Sequence, residues 1–464
     1  MASKEFDIVL FGASGFTGKH CVKQLAEVCK ENPGLKWAVG GRNEEKLRNV
    51  VDWAERKTGV NLKQVGYVSA DVSDVASLDA MCRRGKLLLN LVGPYRFYGV
   101  PVVEACIRNK CHHIDISGEI QFLEKLQLDY HETAKKAGVY IVEACGFDSI
   151  PSDLGVLFVK KQFPGILNSV EGYQASHHGP EGTTLNFGTL NSAVHVVANR
   201  NEIKEIRERF HYAPLPECKP KLKPRGPLFY SDLCGGWCIP LNSTDASVVN
   251  RSQRYLYETE KERPVQYRQS YTRRSFLSLM SFIFVMINIG ILSFFRCGRK
   301  LLSKYPKVFT FGVFSHEGPT EAQMATTSFT FTFRGRGFSS KSVEKSGKED
   351  MAIITQVDGP EMAYVTTPIG MIQAGLTILK ETSYLPDRPL HFSLDPKSTI
   401  KAVPPPDPRL IRLSHTQCSI FPVSHRKMRS KTTNLRDVSK SASHIVPICA
   451  IQIPSQIWEQ TLKP

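Results

Sequence analysis

Phe6-Asp7-Ile8-Val9-Leu10-Phe11 runs directly into Gly12-Ala13-Ser14-Gly15-Phe16-Thr17-Gly18, and apolar residues then recur at helical spacing through Cys21, Val22, Leu25, Ala26 and Val28. A short apolar strand, a glycine-rich turn and an amphipathic helix, in that order, open a dinucleotide-binding unit. The glycines let the backbone turn tightly beside a pyrophosphate, whose charge rests on free amides at the helix N-terminus. The spacing is Gly-x-x-Gly-x-x-Gly rather than Gly-x-Gly-x-x-Gly, and the competing reading is a plain strand-to-helix turn. A nucleoside-triphosphate loop is excluded, because His20 follows Lys19 where a Ser or Thr would have to hold magnesium.

A second apolar strand, Trp37-Ala38-Val39, closes on Gly40-Gly41-Arg42. An acidic residue at that strand end would grip the free ribose hydroxyls of NAD. A guanidinium suits a ribose 2′-phosphate instead, so Arg42 favours NADP over NAD as cofactor, with an ordinary exposed arginine as the alternative. The alternation continues along the chain. A strand over 65–70 ends at Asp71, and the apolar run 87–92 ends at Gly93-Pro94-Tyr95. Ile114-Asp115-Ile116 leads to Ser117-Gly118-Glu119, and residues 139–142 precede Gly146-Phe147-Asp148. Unbroken apolar strands are those of a parallel sheet covered on both faces. About six strand–helix alternations in the first 150 residues predict an α/β, doubly wound Rossmann sheet. Its strand-end turns should line one cleft.

Those turns carry a family resemblance. The motifs at 12–18, at Asn90-Leu91-Val92-Gly93-Pro94-Tyr95, at Asp115-Ile116-Ser117-Gly118-Glu119 and at 146–155 (Gly-Phe-Asp-Ser-Ile-Pro-Ser-Asp-Leu-Gly) together resemble the saccharopine dehydrogenase-like oxidoreductases, relatives of bacterial trans-acting enoyl reductases. The likeness extends to about residue 385, through Ser328-Phe329-Thr330-Phe331-Thr332-Phe333 and Tyr364-Val365-Thr366-Thr367-Pro368-Ile369. It implies a second, α+β domain built on a mixed sheet. The full substrate pattern of saccharopine-forming enzymes is not legible here, so the family name does not identify the substrate. Beyond Pro386 the chain departs from the family, giving Asp387-Arg388-Pro389-Leu390-His391-Phe392 where a Gly-Gly-Val and a Thr-Pro-Gly segment are usual. Residues 387–464 carry 12 Lys or Arg against 5 Asp or Glu, and 10 of the 28 prolines. Frequent helix breaks and weak apolar periodicity predict a disordered tail.

Residues 276–295 are twenty in a row without a charge. As a helix they would run about 30 Å, the thickness of a bilayer's hydrocarbon core. Arg273 and Arg274 precede them and Arg296, Arg299 and Lys300 follow, so the flanking charge sets no orientation. A single span would separate two halves of one domain. The expectation is therefore a monotopic insertion bent near Asn288-Ile289-Gly290, suited to a lipid droplet or an intracellular membrane facing the cytosol; a mitochondrial membrane is also compatible. The competing reading is a buried core helix.

The resulting division is a dinucleotide-binding domain over 1–150, a substrate domain over 151–270 and 305–385, a hydrophobic anchor over 271–304 and the tail over 386–464. Twelve cysteines without a Cys-x-x-Cys pair fit a reducing compartment rather than a disulfide scaffold. No Cys, His and acidic residues fall at ligand spacing, so no metal is expected. The net charge of +16 lacks the aromatic-interleaved basic stripe of a nucleic-acid binder, and nucleic acid is excluded as a partner. The cofactor-binding set is Gly12, Ala13, Ser14, Gly15, Phe16, Thr17, Gly18, Arg42, Asp71 and Gly93. Candidates for proton chemistry at the strand ends are Tyr95 and Asp148 first, then Asp115, Glu119 and Tyr98. The only Tyr-x-x-x-Lys, Tyr257 to Lys261, lies in a charged stretch and reads as a solvated face. These features point to an NADP-dependent oxidoreductase on a lipid-linked or acyl substrate, with a homodimer as the assembly to test. The reading from a different class is a nucleotide-binding sensor or scaffold without turnover.

Overall fold

A computed structural model describes residues 4–381, Leu385 and the short segments 444–445 and 449–452. The first 150 residues form six parallel strands: β1 (Phe6–Phe11), β2 (Trp37–Gly41), β3 (Gly66–Ser69), β4 (Gly85–Asn90), β5 (His112–Asp115) and β6 (Ile141–Val142). Their order is β3-β2-β1-β4-β5-β6, the two-winged order of a dinucleotide fold. Between them run α1 (Phe16–Glu31), α2 (Glu44–Thr58), α3 (Val75–Arg84), α4 (Tyr95–Arg108) and α5 (Ile120–Ala137). Side chains alternate across the sheet. Ile8 and Leu10 meet α1 and α2 through Val22, Leu25, Leu47 and Val51, whereas Val9 and Phe11 share the opposite core with Leu78, Met81, Val102 and Phe122. Both faces are buried, which is why the stretches Ile8–Phe11 of β1 and Leu87–Leu89 of β4 are continuously apolar, with Asp7 and Lys86 paired nearer the strand starts.

The last family motif changes allegiance. Although the domain division assigns 305–385 to the second domain, the helix Thr367–Lys380 packs on the first sheet. Met371, Ile372 and Ile378 join Leu87, Leu89 and Ile114 in one core, and a Cβ on Gly375 would lie 3.0 Å from Leu87. Sequence periodicity reports that a helix has an apolar face and is silent on which sheet will cover it.

The second sheet is mixed. Its centre is the long strand β7 (Ile166–His177), which pairs antiparallel with Ser328–Phe338 and parallel with Gln266–Arg273. Outward of these lie Met351–Pro360 on one side, Gly236–Pro240 and Phe229–Ser231 on the other. The helix α6 (Ile150–Gln162) and the helix Thr244–Glu260 cover one face, burying Val156, Val159, Val249, Phe329, Phe331 and Phe333 together. Of the basic tail, the described residues are two short strands, His444–Ile445 and Cys449–Gln452, each parallel to Met351–Pro360; the rest of the tail expectation lies outside the described residues.

The charge-free segment is one continuous helix, Phe276–Phe294. The bend expected at 288–290 does not occur, because Asn288 is held by its own contact, donating from Nδ2 to the Phe309 carbonyl at 2.5 Å. The chain turns at Phe295 instead, whose backbone is extended, and re-enters a helix over Arg296–Lys304. One side of the long helix is docked: Val285 and Ile289 pack with Leu190 and Val194 of the helix Phe187–Ala198 and with Leu302 and Phe314. The other side is bare. Leu277 is 74% exposed, and Phe284, Ile287, Ile291 and Phe294, at successive spacings of seven, three, four and three residues, are all about half open or more. The competing reading of a fully buried core helix therefore applies to its inner stripe alone.

Candidate functional site

The site is built from strand-end turns, beginning with 12–18. Gly12 sits at φ +86°, where side chains are strained, and a Cβ there would also press on Val92 at 2.9 Å. A Cβ on Gly18 would stand 2.2 Å from the Gly12 carbonyl oxygen, so α1 approaches the loop only as glycine. Gly15 is different: it is exposed, and its Cβ would meet nothing nearer than the Gly12 oxygen at 3.2 Å. The space it leaves faces outward, beside the start of α1, where no side chain caps the helix. The first amides of a helix lack intrahelical partners. Uncapped amides beside a glycine-lined opening fit a pyrophosphate.

Ala13 is buried and Ser14 exposed, so of these two Ser14 faces the opening. Thr17 is half-buried. Phe16 does not turn toward a ligand. Its ring packs edge-on against Tyr364 at 4.7 Å, and Gly318 closes over it so tightly that a Cβ would come within 2.7 Å. Tyr364 in turn accepts from the Asn186 amide at 2.7 Å. The loop is thereby clamped by residues far along the chain.

At the end of β2, Arg42 is open to solvent, its Nε 4.0 Å from Asp71 Oδ2. Asp71 accepts from the Ser73 amide and hydroxyl at 2.9 and 2.6 Å; these bonds, with Arg42 nearby, hold its carboxyl below the usual range. Arg48 is committed elsewhere, paired with Glu44 and lying over the Tyr67 ring, which leaves Arg42 as the guanidinium at this strand end. Gly93 begins the turn after β4, with Ser192 Oγ 3.8 Å from where its Cβ would be.

Three of the residues expected to do chemistry are occupied otherwise. Tyr95 is buried; its hydroxyl donates to the Asn90 carbonyl at 3.0 Å and its ring lies beside Phe122. Glu119 accepts from the amides of Tyr95 and Arg96 at 2.8 and 2.9 Å and from Ser192 Oγ at 2.8 Å, making it the acceptor for the start of α4. Asp115 is fully buried, bridges the amides of Ser117 and Ala144 at 2.9 and 3.1 Å, and is pushed well up by burial and by Glu143. These are positions of architecture, and the strand-end location that suggested catalysis is equally the location where turns must be tied. Tyr98 is partly exposed on α4. Tyr257 and Lys261 lie at the end of the helix Thr244–Glu260, with Lys261 Nζ directed to the Glu258 carbonyl.

Asp148 is open to the cleft, yet protein crowds it closely enough to raise its carboxyl. Its Oδ2 lies 3.3 Å from the Cβ position of Gly118, and Thr244 Oγ1 is 3.9 Å from the same point. Thr244 donates to the Gly118 carbonyl at 2.8 Å, fastening the second domain to the turn after β5. The next residue, Asp245, is buried and pushed up to about 7, by burial first and then by Asp148. Its Oδ2 accepts from Ser243 Oγ at 2.7 Å and Gln269 Nε2 at 2.8 Å, whereas Oδ1 has no partner. Tyr267 completes the group through Ser152 Oγ at 3.1 Å. Asp245, Tyr267 and Gln269 escape sequence reasoning because they come from a helix and a strand of the second domain and follow no motif. Among the described residues no His, Cys, Asp and Glu cluster is arranged to hold a metal.

The fold and this cleft define a dinucleotide-dependent oxidoreductase with a second domain closing on the nucleotide domain. Residues 8–142 match the model for the saccharopine dehydrogenase NADP-binding domain, and the glycine cradle and Arg42 fit that cofactor. The chain is 44% identical over 388 residues to the human saccharopine dehydrogenase-like oxidoreductase, covering 82% of this chain and 90% of the relative. A probable mitochondrial saccharopine dehydrogenase-like oxidoreductase of Arabidopsis thaliana is 38% identical, with 82% and 89% covered. A lipid droplet localized protein of Caenorhabditis elegans is 35% identical, with 82% and 91% covered. This chain belongs to the saccharopine dehydrogenase-like oxidoreductase family.

Gly15→Val tests the cradle. The branched side chain would fill the outward space without touching the core, so dinucleotide binding, followed by quenching of protein fluorescence, is expected to disappear while the circular dichroism stays unchanged. Retained binding would reduce the loop to a turn.

Proposed function

We propose that this protein is an NADPH-dependent reductase acting on a lipid-linked or acyl substrate while lying on a lipid droplet or membrane surface. The observation that carries the reading is the bare apolar face of the helix Phe276–Phe294. An apolar face of this size is characteristic of a membrane or partner surface. The stretch 263–316 holds nine Lys or Arg and no Asp or Glu, which suits anionic lipid. The inner stripe is docked on the same chain, so the helix lies along a surface without dividing the domain, and the lipid-droplet name of the worm relative agrees; the mitochondrial name of the plant relative concerns which membrane. Kinship with enoyl reductases, read from the turn motifs, supports an acyl substrate.

Bound NADPH supplies a hydride. The acceptor then needs one proton at the atom that gains electron density, and Asp148 is the carboxyl open to the cleft to deliver it. Asp245 stands behind it as the group that keeps a proton within reach, and the ties from Thr244 to Gly118 fix their separation. Arg42 selects the cofactor by its charge toward the 2′-phosphate.

Three measurements test these assignments. Arg42→Ala should weaken NADPH binding by about 1.5–3 kcal/mol, the worth of hydrogen bonds to a charged group, and leave NADH nearly unchanged in calorimetry; equal losses would remove Arg42 from that role. Replacing Phe284, Ile287 and Ile291 with lysine, each costing about 2.5–3.5 kcal/mol in a lipid interior, should release the protein to the soluble fraction with NADPH binding intact. Finally, NADPH oxidation should be screened against enoyl thioesters, acyl ketones and sterol ketones. A proton donor works only while protonated, and both carboxyls are raised above their ordinary range, so turnover should hold at mildly acidic pH and fall as pH rises. Asp148→Asn should abolish it without loss of NADPH binding. Binding without turnover across the whole panel would favour the sensor reading.

A further inference from the structure

At the C-terminal end of the exposed helix a surface cavity of about 280 Å³ opens between two elements. The helix Arg296–Lys304 contributes Arg296, Arg299 and Lys300, and the helix Phe187–Ala198 contributes Asn191 and His195. None of the lining residues is acidic, and among the described residues no carboxylate pairs with Arg296, Arg299 or Lys300. Three cations facing one polar hollow without a counter-charge repel each other, and an anion inside would relieve that repulsion. Arg299 is held in place, donating from Nη1 to the Ser293 carbonyl at 2.8 Å and more loosely to that of Phe294. His195 is kept below its ordinary pKa by burial and by Arg96 and Arg299.

The cavity's rim says which anion. Phe294 and Phe295 are about half exposed beside it, and Leu301 is partly so. Phosphate from solution has no use for such a rim, whereas a lipid phosphate arrives with acyl chains that need one. The hollow therefore joins a basic floor to the apolar face that the proposed function lays on lipid. We propose that this cavity is a binding site for the phosphate headgroup of an anionic glycerophospholipid, with Arg296, Arg299 and Lys300 as cationic ligands and Asn191 as hydrogen-bond donor. The inference rests on the surface-lying reading and goes beyond it, since diffuse attraction to an anionic surface requires no particular pocket.

Asn191 and His195 share their helix with Ser192, which donates to Glu119 at 2.8 Å. The headgroup pocket and the turn beside the nucleotide cleft thus contact neighbouring faces of one short helix. A lipid seated in the cavity would fix that helix, and with it the mouth of the cleft, relative to the surface.

The test is flotation of the purified full-length protein with vesicles of phosphatidylcholine alone, or containing phosphatidic acid, at physiological salt. Two variants remove the same charge: Arg296→Ala with Lys300→Ala at the pocket, and Arg273→Ala with Arg274→Ala at the other end of the helix. The expected result is roughly tenfold tighter binding to phosphatidic acid vesicles, lost in the pocket variant and largely kept in the other. Equal loss in both variants, or no gain from phosphatidic acid, overturns the pocket. Inorganic phosphate at millimolar concentration that competes as well as a short-chain phosphatidic acid overturns the lipid assignment. Failure to bind any vesicle or a neutral oil droplet refutes the surface reading itself, whereas neutral binding without headgroup discrimination refutes the pocket alone.

Discussion

The contact on which the nucleotide cleft depends is between α1 and the turn before it. A Cβ at Gly18 would overlap the Gly12 carbonyl oxygen at 2.2 Å, so the helix can lie against the loop only without a side chain there. That approach brings the uncapped start of α1 to the mouth of the β1 strand. It also sets Phe16 where Tyr364 and Gly318 can close upon it. One steric requirement thus prepares an anion site and supplies the clamp between the chain's beginning and a segment more than three hundred residues later. A larger residue at Gly18 would have to lift the helix and loosen both.

Electrostatics distribute the acidic residues of the cleft into two kinds. Glu119 and Asp115 accept backbone amides at turns, which ties both into the frame of the cleft. Burial pushes up both Asp148 and Asp245, Asp148 adds to the rise of Asp245, and one oxygen of Asp245 has no partner. Like charges in a crowded site make one of them a proton holder near neutral pH.

Much of the nucleotide domain was legible because its signals are local. Apolar runs, turn glycines and helical spacing each act within a dozen residues, and the apolar strand expected over Phe6–Phe11 coincides with the observed one. The motif over 364–369 was legible, but the place of its helix Thr367–Lys380 in the first core was not, since its partners Leu87 and Ile114 are some 250 residues away. Tyr95 misled for a related reason: the sequence places it at the cleft turn, but only the packing shows that its hydroxyl turns back to Asn90. Asp245, Tyr267 and Gln269 carried no pattern at all. They come together because the start of the helix Thr244–Glu260 meets the strand Gln266–Arg273, where Gln269 donates to Asp245, a long-range contact that leaves no periodic trace.

The charge-free helix shows how far composition can go. Length and absence of charge admit a span, a core helix or a surface helix, and the three differ in which stripe is covered. The structure buries Val285 and Ile289 while leaving Phe284, Ile287 and Ile291 open. The docked stripe holds the helix to a domain that also closes the nucleotide cleft, so any surface it meets is met with the cleft at a fixed distance and angle. A substrate with an acyl chain could then remain in the lipid while its reactive end enters the cleft, avoiding the cost of carrying the chain through water, about 0.8 kcal/mol for each methylene. For a chain of a dozen carbons that cost exceeds what most binding sites recover, which is the physical reason for an enzyme of such substrates to lie on the surface that holds them.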